Sequence, residues 1–236
     1  GQHLRVTVTS DITDNLATEV TRLRYLFAVD EDPAPAVAHL SQDSLIGDLV
    51  VERPWIRVPR CWDPFETSVR IIIGQQISVA AASTICGRLT TKLGLRASDV
   101  PSLNRTFPSA EVLSKADLDG IGLTERRKAT IQNFSRAVAE GIIDFQPSGN
   151  LDEIEKKWCA LPGIGPWTAQ VSAMRVLGHD DAMPSSDLGI LRSIDRLTNN
   201  NFSAKELASR STIWKPFRSW VAQHLWQAPE VLRSTS

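Results

Sequence analysis

Leu161-Pro-Gly-Ile-Gly-Pro-Trp-Thr-Ala-Gln170 and, one helical length later, Pro184-Ser-Ser-Asp187 hold the residues whose types and spacing point most directly to chemistry. Gly163 and Gly165 flank a single apolar residue, Ile164, so backbone N–H groups can turn outward with no Cβ in the way. Pro166 suits the first position of a following helix, where its missing N–H costs nothing. The free amides and positive dipole end of that helix then add to the same spot. Helix, Gly-Ile-Gly turn, helix is therefore a site for an anion such as a phosphate, independent of the side chains of whatever carries it. A glycine-capped helix restarted by proline is the plainer reading of the same residues. Asp187 offers a carboxylate at a position that also suits a helix N-cap, and the two roles are compatible because a cap fixes the direction of the carboxylate.

The elements that must position these groups are almost all helices. Asp63 can cap a helix with Pro64 at its first position and Glu66 at its third, a capping-box arrangement. Ile71 to Ile73 bury that helix, which stops near Gly74; Ser78 caps the next, and Gln75-Gln76-Ile77 lies in the break. Further helices are predicted over 110–115, 125–140, 151–160, 167–177, 188–197, 204–210 and 216–226. Gly120-Ile-Gly122 imitates the turn at 163–165, but without the Pro-Trp-Thr sequel it reads as an ordinary helix connection. At the start, Leu4, Val6 and Val8 alternate with polar residues like a half-buried strand, and 14–27 follows as an amphipathic helix.

Composition bounds the classes. The 236 residues can bury a substantial core in one large or two small domains. No long apolar run suggests a membrane span and no signal peptide is recognisable, so an intracellular location is expected. A net charge of −1 gives no global signature of nucleic-acid binding and counts against a purely electrostatic binder. Any such binding must be local, with Arg126, Arg127, Lys128, Lys205, Arg210, Lys215 and Arg218 as nearby basic groups that read mostly as solvated helix faces. Cys61, Cys86 and Cys159 form neither a disulfide framework nor a zinc or iron–sulfur pattern. His3, His39, His179 and His224 show no ligand spacing.

The chain resembles the helix-hairpin-helix DNA glycosylases, in particular the 3-methyladenine DNA glycosylase II (AlkA-type) branch. The resemblance rests on the 161–170 hairpin with Asp187, on Asp63 to Ala82, on Phe107 to Lys128 and on Trp214 to Trp226, and so covers nearly everything from about Val58 onward. It implies a mainly α fold of two helical subdomains with a partial N-terminal α/β element. The implied division is 1–57 as remnant and connection, and 58–236 as the glycosylase core. Within the core, a central subdomain spans about 64–180, and a second spans about 187–236 with contributions from 38–62. The first residues then read as the last portion of the family's N-terminal domain, in a fragment or a short family member.

The resemblance also assigns roles. Asp187, twenty residues after Trp167, matches the catalytic aspartate, which stabilises positive charge on the sugar as the glycosidic bond breaks and can orient or deprotonate the attacking water. Trp167 and Trp226 match pocket aromatics that would hold a cationic alkylated base, with Val171 and Leu188 beside them. Trp62 and Trp220 are equally pocket or core. Val171 and Gln227 stand where the best-known members carry tyrosines, which makes this pocket less aromatic. Bifunctional relatives place a lysine at the position of Trp167 to form a Schiff base; without that amine, water is the expected nucleophile and an abasic site the product. Lys92 and Lys128 lie in other segments.

Gln75, Gln76, Ile77 and Ser78 match the loop that probes the duplex, with either Gln76 or Ile77 as the side chain entering the base stack. Gly163, Ile164, Gly165 and Thr168 match the phosphate-binding hairpin. The carbonyls of Cys159, Leu161 and Ile164 match a site for a monovalent cation, Na⁺ or K⁺, while no cofactor is required. The implied partner is double-stranded DNA with alkylated bases, bound by a monomer. Two rivals stay open: a helix-hairpin-helix DNA-binding module without chemistry, and an oxidised-base glycosylase with lyase activity.

Overall fold

The computed structural model describes residues 4–7, 16–97, 104–146 and 150–228. Among them the chain is helical: α1 (Leu16–Leu26), α2 (Ala34–Leu40), α3 (Gly47–Glu52), α4 (Pro64–Gly74), α5 (Val79–Leu93), α6 (Ala110–Leu113), α7 (Glu125–Ala139), α8 (Leu151–Cys159), α9 (Pro166–Arg175), α10 (Leu188–Thr198), α11 (Ala204–Arg210) and α12 (Arg218–Trp226), with a 3₁₀ turn over Ser211–Trp214. No strand occurs among the described residues; a single antiparallel bridge joins Arg96 and Arg105.

The expected strand is the one element at odds with the fold. Residues 4–7 have no regular structure, Leu4 and Val6 are exposed, and Val8 lies outside the described residues. A lone alternating segment has no ladder partner to hold it. The helix expected over 14–27 is found as α1, with Asp14 outside the described residues and no buried side chain along it.

Most helix starts follow from their caps. Asp63, Ser78, Ser109, Thr124, Asn150, Asp187 and Ser203 each accept a backbone N–H of the first turn. The capping box expected at Asp63 is only half formed, because Glu66 pairs with Arg70 one turn on; the full box closes at Ser203 and Glu206 instead. The last helix begins at Arg218, two residues later than expected at Pro216.

Helix α4 is the hub. Its Val69, Ile72 and Ile73 are fully buried, and it packs on α5, α7 and α9. Phe65 stacks on Phe134 of α7, which in turn meets Trp158 of α8 at 5.3 Å, so one aromatic run ties the start of α4 to the helix before the hairpin. A second group forms where α10 packs on α12. The 180–182 segment between the two groups is stitched to α12: Ser219 N donates to Asp180 O at 2.9 Å, and Ser219 Oγ donates to His179 O while accepting from Ala182 N. Arg218 adds a bidentate pair with Asp181. Those contacts place the C-terminal end of α12 against the N-terminal end of α10. No helix among the described residues is long and apolar enough to cross a membrane.

Candidate active site

Asp187 is the N-cap of α10, and its Oδ1 accepts the backbone N–H of Ile190 at 3.0 Å. The same oxygen accepts the indole N–H of Trp226 at 2.9 Å, while Oδ2 accepts the indole N–H of Trp167 at 2.8 Å. Three donors from three helices therefore fix one half-buried carboxylate. Each is a charge-assisted bond, which holds position better than a neutral one. The cap and the candidate catalytic group are one residue, as the sequence allows.

The geometry has a space requirement at Gly189. A Cβ there would lie 3.1 Å from Asp187 Oδ1 and 3.3 Å from Trp226 Cδ1. Only a bare Cα lets the indole close onto the carboxylate without a shift. The loop leading into Asp187 is set by Gln170 of α9, whose Oε1 accepts Met183 N at 2.8 Å and whose amide donates to Glu155. Neither Gly189 nor Gln170 stood out in the sequence, although Gly189 lies two residues past Asp187 and Gln170 ends the hairpin motif.

Around this centre, Val171 is buried, Leu188 is exposed, and the Gln227 side chain is exposed while its carbonyl accepts from Arg53. Trp220 belongs to the core at 4% exposure, whereas Trp62 is largely exposed with the Arg22 guanidinium 4.2 Å above its ring.

The hairpin gives its two glycines different jobs. Gly163 has φ +86°, and a Cβ on it would fall 1.9 Å from Thr130 Oγ1 of α7, so the backbone conformation and close helix packing both require glycine. Gly165 has an ordinary φ of −109° and nothing within 4 Å of where its Cβ would be. Its bareness leaves open space at the start of α9 rather than relieving a clash. No side chain caps α9, and Pro166 occupies its first position. The amides of Trp167 and Thr168 belong to the first turn, which has no intrahelical acceptors.

Thr168 is buried, and its hydroxyl accepts the Gln75 side-chain amide at 2.7 Å; the same amide lies 3.4 Å from Gly163 O. Gln75 thus braces the hairpin from the α4–α5 loop. Gln76, Ile77 and Ser78 are exposed, with Gln76 at φ +60°. Val79 beyond them is 89% exposed, the most solvent-facing large apolar residue among those described.

Several basic residues read as solvated faces are engaged within the fold. Lys128 pairs with Asp119 and Glu125, Arg210 with Asp43, and Arg218 with Asp181. Arg127 turns inward onto carbonyls of α4. Arg126, Lys205 and Lys215 are exposed. Lys92 pairs with Asp117.

Residues 69–219 match the HhH-GPD superfamily of base excision DNA repair proteins, and residues 1–63 match the AlkA N-terminal domain. This chain belongs to the HhH-GPD superfamily. Among HhH-GPD relatives it is 35% identical over 97% of its length to a Mycobacterium tuberculosis protein described as "Probable bifunctional transcriptional activator/DNA repair enzyme AlkA", covering 46% of that protein. It is 32% identical over 77% of its length to DNA-3-methyladenine glycosylase 2 of Escherichia coli, covering 63% of it. The chain thus spans about half to two thirds of these curated relatives. Two solved structures share the fold. The 3-methyladenine DNA-glycosylase of Archaeoglobus fulgidus superposes with TM-score 0.75 at 22% identity, over 92% of this chain and 76% of that one. The Schizosaccharomyces pombe 3-methyladenine DNA glycosylase in complex with abasic DNA gives 0.71 at 23%, over 86% of this chain and all of that one.

Proposed function

We propose that this chain is a monofunctional DNA N-glycosylase that extrudes alkylated purines of the 3-methyladenine and 7-methylguanine type and hydrolyses the N-glycosidic bond. The observation that carries this reading is the Asp187 carboxylate held by the two indole N–H groups of Trp167 and Trp226. A DNA-binding module without chemistry has no use for a carboxylate clamped between aromatic side chains.

In the proposed reaction the hairpin amides grip a phosphate, the 75–78 loop occupies the gap in the duplex, and the flipped purine rests against Trp167 and Trp226. An alkylated purine carries positive charge, which an indole face attracts by about 0.5–2 kcal/mol. As the C1′–N bond breaks, positive charge grows on the sugar and Asp187, already oriented, stabilises it. The base leaves with the electron pair of the C1′–N bond, and water adds at C1′ while giving up its proton to the Asp187 carboxylate, leaving the abasic sugar with a hydroxyl. The hairpin position carries Trp167, not lysine, and Lys92 and Lys128 are engaged with carboxylates elsewhere, which supports hydrolysis without strand cleavage.

The carbonyls of Cys159, Leu161 and Ile164 would hold a monovalent cation beside the hairpin. They fit as donors because they end a helix and line a turn, where carbonyls lack intrahelical partners; Leu161 O already accepts Ile164 N at 3.1 Å through one of its two lone pairs. The reading includes a monomer working inside the cell on chromosomal DNA. It also takes 58–236 as the glycosylase core, with 38–62 joining the second helical group. His39 to Ile213 O, Arg210 to Asp43 and Arg53 to Gln227 O support that last assignment.

Methylated duplex DNA tests the reading directly. The chain is expected to release 3-methyladenine and 7-methylguanine, leave intact abasic strands, and form no adduct with borohydride. A trapped adduct would replace hydrolysis by lyase chemistry, and DNA binding without base release would favour the binding module.

A further inference from the structure

The exposed loop after α4 ends in a conformation that needs support. Gln76 is one of three described non-glycine residues with positive φ, and a side-chain-bearing residue keeps that geometry only where its surroundings hold it. Two contacts do so from opposite sides. Gln75 reaches the hairpin through its amide, as described above. From the other side Arg127 Nη1 lies 2.6 Å from Ile72 O, 3.0 Å from Ile73 O and 3.1 Å from Gln75 O. Two hydrogens on that nitrogen are shared among three carbonyls at the negative end of α4.

The fold presents Arg127 for this purpose. It is the third residue of α7, its own N–H bonded to the Thr124 cap at 3.3 Å, and α7 packs directly on α4. Its neighbour Arg126 stays exposed, so of two adjacent arginines one faces solvent and one is spent on the loop. A cap serving only helix stability would need the Ile72 and Ile73 carbonyls. The bond to Gln75 O fixes the residue directly before Gln76.

Resting on the glycosylase reading, we propose that Arg127 is a positioning residue for base extrusion. Its guanidinium closes α4 and holds Gln75–Gln76–Ile77 in the shape that enters the duplex, so that the loop need not be ordered while bases are being unstacked. Arg127 touches neither the sugar nor the base; it acts through the loop.

Two substrates separate this from a general structural effect: a methylated base in a fully paired duplex, and the same base in a three-nucleotide bubble where unstacking costs little. Under single turnover, Arg127→Met is expected to release base about tenfold or more slowly from the duplex, yet within about threefold of the parent from the bubble. Arg127→Lys, which keeps the charge, should recover much of the duplex rate. In Arg127→Met/Gln76→Ala the two losses should not add. Equal loss on both substrates, or full additivity, would overturn the proposal, as would an unchanged duplex rate. Should Arg127→Met fail to fold, Arg127→Gln, alone and combined with Gln76→Ala, carries the same duplex-against-bubble comparison.

A 2-aminopurine placed beside an abasic-site analogue reports unstacking without bond breaking. A parent chain that unstacks this DNA but releases no base defeats the glycosylase reading alone. Loss of the fluorescence rise in Arg127→Met would still support the positioning role, and its persistence there would end it.

Discussion

Asp187 is satisfied by three donors, and the tightest constraint on them is the absence of a side chain at Gly189. A Cβ there meets Asp187 Oδ1 and the Trp226 ring at 3.1 and 3.3 Å, closer than most real Cβ contacts, so the indole must give way. Gly189→Val is expected to slow base release by about tenfold or more while leaving DNA affinity near the parent value, because the hairpin and probing loop are untouched. Single-turnover release with a parallel binding titration checks it; an unchanged rate would show that the Trp226–Asp187 bond is dispensable. Asp187, Trp167 and Trp226 were legible in the sequence through the motif that holds them. Gly189 and Arg127 were not, because a slot and an inward-turned guanidinium are properties of packing: nothing in Thr-Glu-Arg-Arg-Lys says which arginine faces the core.

At the scale of elements, the two hairpin glycines differ in what surrounds them. Gly163 combines φ +86° with a close approach to Thr130, whereas a Cβ at Gly165 would enter open space at the start of α9. Gly163→Ala is therefore expected to destabilise the chain by about 2 kcal/mol or more, through strain and overpacking. Gly165→Ala should leave the melting temperature within a few degrees and weaken duplex binding about tenfold, since its methyl group stands where a phosphate would approach. Thermal melts and binding titrations on both variants separate the two; equal behaviour would refute the division. The helices themselves were readable because caps such as Asp63, Thr124 and Ser203 act locally, so most ends lie within two residues of expectation. Residues 4–7 form no strand, because alternation describes a strand only when a neighbour exists to pair with it.

For the molecule as a whole, burial sets the response to acid. His224 lies in α12 at 2% exposure, two residues before Trp226, with Nδ1 lacking a partner among the described residues. Burial, aided by the nearby Arg53 charge, lowers its pKa from 6.5 to about 4. The unfolded chain therefore binds a proton here that the folded chain refuses. Stability from this group is complete above pH 6.5 and is lost as pH falls toward 4, by about 3 kcal/mol at most. Denaturant titrations at several pH values should show that slope, and His224→Gln should flatten it; an equal slope in the variant would assign acid sensitivity elsewhere. Mainly helical architecture was visible in the sequence from about Val58 onward, as were Asp187, Trp167 and Trp226, which the fold brings together. How the second helical group is stitched to the 180–182 segment was not, because Ser219 and Asp180 are unremarkable until the fold brings them together.

The central claim is that a fixed Asp187 carboxylate drives release of an alkylated base. Single-turnover release of 3-methyladenine and 7-methylguanine from methylated duplex DNA, comparing the parent with Asp187→Asn, tests it most directly. The amide keeps the shape but removes the charge, and the rate is predicted to fall about a hundredfold or more with affinity for an abasic-site duplex retained. A variant that releases base as fast as the parent would contradict the account, whatever its affinity for DNA.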